Sequence, residues 1–176
     1  MASNIELCCP RIYAKQAENR VPPTNEFLMG TWHVTHSSLP LWKDKRNVNI
    51  TYKEIDSSGV KIDDLAVGSD KIKSINGVDT PTPGNPCAWD WRGKGWLKIA
   101  SSHWECLGFG HADGNNKWAV TYFAKSLFTP AGMDIYSWDK QGLPQSTVDD
   151  IIQALKGLEI EEITNLADTM FEIPQN

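Results

Sequence analysis

His103 and Glu105 stand two residues apart, so on a strand their side chains leave the same face and the carboxylate can orient or charge the imidazole, as acid–base chemistry requires. An ion pair on an outer face accounts for the same spacing. Asp90 and Arg92 form a second same-face pair, set between Trp89 and Trp91, with a salt bridge tying down a loop as its plain alternative. His36 follows Trp32 and Val34 at period two, which assigns it to the face that Trp32 occupies; an imidazole hydrogen-bonded at a rim is the competing reading. These five polar residues are the candidate catalytic groups.

Around them the chain is rich in indole. Eight tryptophans occur in 176 residues. Trp42, Trp89, Trp91, Trp96 and Trp104 are the candidate walls for a flat apolar ligand, and Tyr52, Tyr122 and Tyr136 either offer phenols to it or pack. Imidazole, carboxylate and aromatic walls suffice to cyclise an alkene onto a phenol. An acid protonates the alkene, a base takes the phenol proton, and π faces steady a developing cation, so no cofactor or metal is called for.

The elements that must position these groups are strands. Trp32, Val34 and His36 alternate with Thr31, His33 and Thr35, and residues 47–55 repeat the pattern, followed by a turn at Asp56-Ser57-Ser58-Gly59. Short strands are expected over 60–65 and 70–75, with Asn76-Gly77 as a tight turn, and a long strand over 96–109. In that long strand either Trp96 and Trp104 or His103 and Glu105 face inward, and a bulge at Ser101-Ser102 would switch the faces. Two further strands, 117–128 and 133–138, complete an antiparallel meander, a barrel or a sandwich.

Three segments are expected: an N-terminal arm over 1–24, a β-barrel over 25–142 and a helical segment over 143–176. Thr24 or Asn25 caps a short helical turn whose Phe27-Leu28-Met29 plugs what lies below. Beyond Pro144 the period becomes 3.6: Ser146 and Asp149 resemble a capping box, and Val148, Ile151, Ile152 and Leu155 form a stripe suited to docking on the barrel or to a homodimer contact.

A net charge of −5 and a pI near 5.3 argue against a nucleic-acid partner. The four cysteines lack C-x-x-C spacing, so neither zinc nor a disulfide framework is indicated. The first residues lack the pattern of a secretory signal and no apolar run suits a membrane span, which makes a cytoplasmic protein without a membrane partner the expectation.

Gly30-Thr31-Trp32 opening a meander that ends in a helix resembles the lipocalin (calycin) superfamily. That resemblance implies a single antiparallel up-and-down barrel, with Gly30 starting the first strand and Trp32 closing the barrel floor. The runs GTWHVTHSSLPLWKDKRNVNITY, AWDWRGKGWLKIASSHWE and WAVTYFAKSLFTPAGMDIYS are similar to small intracellular lipocalin-like proteins of fungi. The resemblance implies either cofactor-free cyclisation of a prenylated aromatic polyketide, by intramolecular hydroalkoxylation to a dihydrobenzofuran, or carriage of a hydrophobic small molecule. Haem binding in a nitrobindin-like barrel is disfavoured because the first strand lacks the glycine-rich pattern that it would need.

Overall fold

The computed structural model describes residues 4–15, 19–56, 61–69 and 73–176. Eight strands, β1 Gly30–Ser37, β2 Arg46–Glu54, β3 Ile62–Ser69, β4 Lys73–Pro81, β5 Ala88–Gly93, β6 Ser101–His111, β7 Lys117–Phe123 and β8 Gly132–Ser137, pair in antiparallel sequence. The first strand pairs with both β2 and β8, so the sheet closes into a barrel and most of its edges disappear. A ninth strand, β9 Phe171–Glu172, lies beside the end of β1, where β2 no longer accompanies it. The expected tail thus returns to the sheet after its helices.

Alternation builds the barrel's two faces. Inward go Trp32 and Val34, then Val48, Ile50 and Tyr52, then Trp89, Trp104, Ala119 and Tyr136, all buried in one cluster. Outward from β6, β7 and β8 go Leu107, Val120, Met133 and Ile135, covered by Val148, Ile151 and Leu155 of α2 Gln145–Gly157 and by Ile163 and Ala167 of α3 Glu161–Asp168. Here α1 is the single turn Asn25–Leu28, and its Thr24 cap accepts a hydrogen bond from the Phe27 amide. The helical stripe docks on the barrel.

The floor is a stack of interactions. Trp32 is fully buried and donates its indole N–H to the Leu28 carbonyl at 2.8 Å. Lys117 donates to the Phe27 carbonyl at 2.7 Å and lies 3.7 Å from the centre of the Trp138 ring and 4.9 Å from that of Trp32. Gly30 takes φ +119°, and a Cβ there would stand 2.3 Å from Trp138, so only glycine opens β1 against that ring.

At the opposite end, the link from β1 to β2 turns its apolar residues back over the barrel. Leu39 packs on Gly132, Trp42 packs beside Gly68, and both are buried with the interior cluster.

Several sequence expectations give way to tertiary context. Asn76-Gly77 is no turn but runs within β4, where Gly77 is needed because a Cβ would meet Trp91 at 2.2 Å. The long strand starts only at Ser101; Gly95–Leu97 is a 3-10 turn that leaves Trp96 84% exposed. Helix α2 starts at Gln145 after Pro144, without the Ser146 capping box; Gln145 Nε2 instead donates to the Asp149 carboxylate at 2.9 Å. The turn expected at 56–59 lies, beyond Asp56, outside the described residues. Among the described residues no helix is long and apolar enough to cross a membrane.

Candidate functional site

Two bulges decide which side chains enter the barrel. On β1 the register passes from Val34 opposite Tyr136 to His36 opposite Ile135, so Thr35 is an extra residue and the alternation inverts. His36 therefore shares the outer face with Ile135, its ring beside Thr35 Oγ1 at 3.0 Å and its strand partner Glu172, while Ser37 turns inward opposite Asp134. Burial lowers the His36 pKa despite the Glu172 charge. This corrects the interior position expected for His36. On β6 the shift comes between Cys106 and Gly108, beyond the residues at issue. Trp104 and Cys106 stay inside, and His103 and Glu105 stay outside throughout.

The outer polar residues form a fastening for the N-terminal arm. Glu105 accepts from the Arg20 guanidinium at 2.9 Å, from Asn85 Nδ2 at 3.0 Å and from the Arg11 amide at 3.1 Å. Burial pushes the Glu105 carboxyl up, but these donors and the nearby His103 ring hold it below its ordinary value. His103 contacts Asp90 at 2.8 Å and lies 3.8 Å from Glu105, and these carboxylates raise its pKa against burial. Arg92 is exposed and donates to the Lys98 carbonyl at 2.9 Å rather than facing a cavity. Thus His103, Glu105, Asp90 and Arg92 do not converge inside the barrel. A groove of about 640 Å³ between the arm, β6 and the end of α2 is lined by Leu7, Cys8, Cys87, Cys106, Leu107 and Leu158 among others.

The aromatic candidates divide in the same way. Trp89 and Trp104 stack at 4.5 Å between ring centres and Tyr52 continues the column at 5.7 Å, all inside. Tyr52 and Tyr136 meet hydroxyl to hydroxyl at 3.2 Å. Trp91 is half-buried at the edge of the interior cluster, and Trp42 belongs to the loop over the mouth. Tyr122 faces out under α3, 3.5 Å from Glu162. Trp96 lies in solvent.

Three interior carboxyls escaped the sequence reading. Asp64 and Asp79, on β3 and β4, are diagonal neighbours on the inner face, since Asp64 stands opposite Gly77 and Ile62 opposite Asp79. Burial and the neighbouring Asp79 charge favour a proton on Asp64, and Asp79 Oδ2 has no hydrogen-bond partner among the described residues. Burial drives both pKa values up, Asp64 well above its ordinary value and Asp79 to about 6, and Asp79 also accepts the Trp104 indole N–H at 2.9 Å. Asp134, fully buried, accepts from Ser37 Oγ at 2.5 Å, and burial lifts its pKa to about 7. The signal for it was spacing: in Met133-Asp134-Ile135-Tyr136 the acid stands two residues before a tyrosine that was a candidate ligand contact.

No known family profile matches the chain. By sequence it is similar to botcinic acid biosynthesis cluster B protein 12 of Botryotinia fuckeliana (strain B05.10), 26% identical over 167 residues, covering 88% of this chain and 76% of that protein. By structure it resembles the siderocalin Ex-FABP (TM-score 0.58, 13% identity, 85% of this chain and 95% of that one). H1 crustacyanin from the lobster Homarus americanus is also similar (TM-score 0.61, 16% identity, 98% and 90%), as is the cockroach allergen Per a 4 (TM-score 0.58, 13% identity, 92% and 94%). The closed eight-stranded meander with its indole floor and flanking helices therefore has the lipocalin (calycin) fold, carried by a sequence related to a protein of a fungal biosynthesis cluster.

Proposed function

We propose that the barrel interior takes up an apolar aromatic small molecule and cyclises it without a cofactor, adding a hydroxyl of the molecule across one of its own carbon–carbon double bonds. The observation that carries this reading is the Asp64–Asp79 pair beside the Tyr52–Trp104–Trp89 column. A carboxylic acid kept neutral by burial is a proton donor at ordinary pH, and the Trp104 indole N–H steadies the charge on the neighbouring Asp79 carboxylate. In the step, the donor's proton goes to one alkene carbon, the hydroxyl oxygen bonds to the other, and the hydroxyl proton leaves. The product is an isomer of the substrate, and proton exchange with solvent restores the pair.

The aromatic column supports the same reading, because π faces favour the positive charge that builds on the alkene. A relative in a biosynthesis cluster fits a natural-product substrate such as a prenylated polyketide phenol, which would close to a dihydrobenzofuran. Carriage without chemistry is the second reading, favoured by the apolar bulk of the interior and by the similar siderocalin, which functions through dual ligand specificities. The experiment that separates the two incubates the protein with prenylated phenols and looks for products of unchanged mass and altered retention. Cyclisation lost in Asp79→Asn with binding retained supports the enzyme; binding without conversion of any of them leaves the carrier.

A further inference from the structure

Asp134 lies near the barrel mouth, and its hydrogen bonding is incomplete in an informative way. Ser37 Oγ accepts the Leu39 amide at 2.9 Å, so its own proton is directed to Asp134 Oδ1. Among the described residues Asp134 Oδ2 has no partner, although the side chain is fully buried. A buried carboxylate oxygen without a donor costs free energy that a ligand hydroxyl can recover. Alternation aims the group into the barrel: Asp134 stands opposite Thr121 and Ser37 and two residues from Tyr136, whose ring belongs to the interior cluster.

We propose that Ser37 and Asp134 form a hydroxyl-recognising subsite at the barrel mouth, in which Asp134 Oδ2 accepts the hydrogen bond of a phenolic O–H on an otherwise apolar aromatic ligand. It extends the interior-ligand reading above and supplies the proton acceptor that reading leaves unnamed. In the cyclisation the phenol proton passes to Asp134 as the oxygen bonds to the alkene carbon, while Asp64–Asp79 delivers a proton to the neighbouring carbon. The groups facing Asp134 are Ser37 from β1, Thr121 from β7 and the Tyr136 phenol on its own strand, which bonds onward to Tyr52 of β2. The Ser37–Leu39 link ties the subsite to the loop over the mouth, so the recognising group and the residue covering it share one hydrogen-bond chain.

The test compares 2-naphthol with its methyl ether, 2-methoxynaphthalene, by quenching of tryptophan emission. The natural protein should bind the naphthol roughly tenfold more tightly at pH 8, one charge-assisted hydrogen bond's worth. Asp134→Asn should bring the two affinities to within about threefold, since the amide offers no comparable acceptor. Ser37→Ala keeps the carboxyl but removes the donor that stabilises its charge, so the pH at which the naphthol preference appears should move upward. Thermal melting establishes that each variant is folded, and the Ser37 variant decides the matter where Asp134→Asn is not. Equal binding of the two probes by the natural protein, or an unchanged preference in Asp134→Asn, overturns the inference while leaving an interior ligand in place. Failure of both probes to bind overturns both. A clear naphthol preference in a protein that converts no prenylated phenol removes only the catalytic reading.

Discussion

Burial raises the Asp134 carboxyl from its ordinary 3.8 to about 7, so between those values the native protein holds a proton that the unfolded chain has released. The native state binds more protons there, and stability must fall as pH rises from about 4 to 7 and stay reduced above. Asp64 and Asp79 act in the same direction. Asp134→Asn removes the penalty, and urea melts should show the variant gaining stability relative to the natural protein by up to about 4 kcal/mol more at pH 8 than at pH 4. An equal effect at both pH values would show that the group is not buried as described. These acids were hard to read from sequence, because an acid in an alternating strand is ordinarily on the wet face. His36 failed in the opposite way: its phase with Trp32 was sound locally, and one extra residue, Thr35, reversed it.

At the scale of elements, the outer cluster that looked catalytic belongs to the arm. Arg20 and Glu105 side chains are 1% and 3% exposed, so Glu105→Gln removes the charge from one side of a buried ion pair and should destabilise the protein at pH 7, read by denaturant melting. Glu105 has its pKa lowered in the native state, so its contribution is present at neutral pH and lost as pH falls through and below about 4.5, the ordinary carboxyl value. His103 runs the other way: its raised pKa makes its contribution fullest below about 6.5 and lost as pH rises above it. Arm release, followed by limited proteolysis near residues 4–20, should therefore be least in the mildly acidic range. The C-terminal tail is a second such strap. Ile173 is buried in the interior cluster, Ile173 N bonds Thr35 O at 2.8 Å, and Asn47 N bonds Pro174 O at 2.8 Å, bridging β1 and β2 where they part. Truncation after Met170 should lower the melting temperature and admit a hydrophobic dye to the interior. The arm was expected as a segment, but what each strap fastens to was not legible, since a strand of two residues and an arm without periodicity carry no pattern that names a partner.

For the whole molecule, the meander and the docked helices were legible because they rest on periodicity repeated over many residues, while closure by Gly30 and Trp32 came only with the lipocalin resemblance. What sequence could not supply was which end of the barrel does what. Lys117 and Trp32 lie at the floor, where Trp138 N bonds Lys117 O, whereas Asp134 and Ser37 lie under the mouth loop. A floor built on an indole hydrogen bond and a cation over aromatic rings is structural, and a mouth with an orphaned carboxylate oxygen is recognitive. Lys117→Met removes the ammonium from three rings and from the Phe27 carbonyl and should cost about 1–3 kcal/mol. Because the two ends share no partner, the double variant with Asp134→Asn should show stability changes that add to within about 0.5 kcal/mol, and Lys117→Met alone should leave the naphthol-to-ether preference unchanged. A preference altered by the floor variant would mean that the barrel responds as one body and that floor and mouth are a single site.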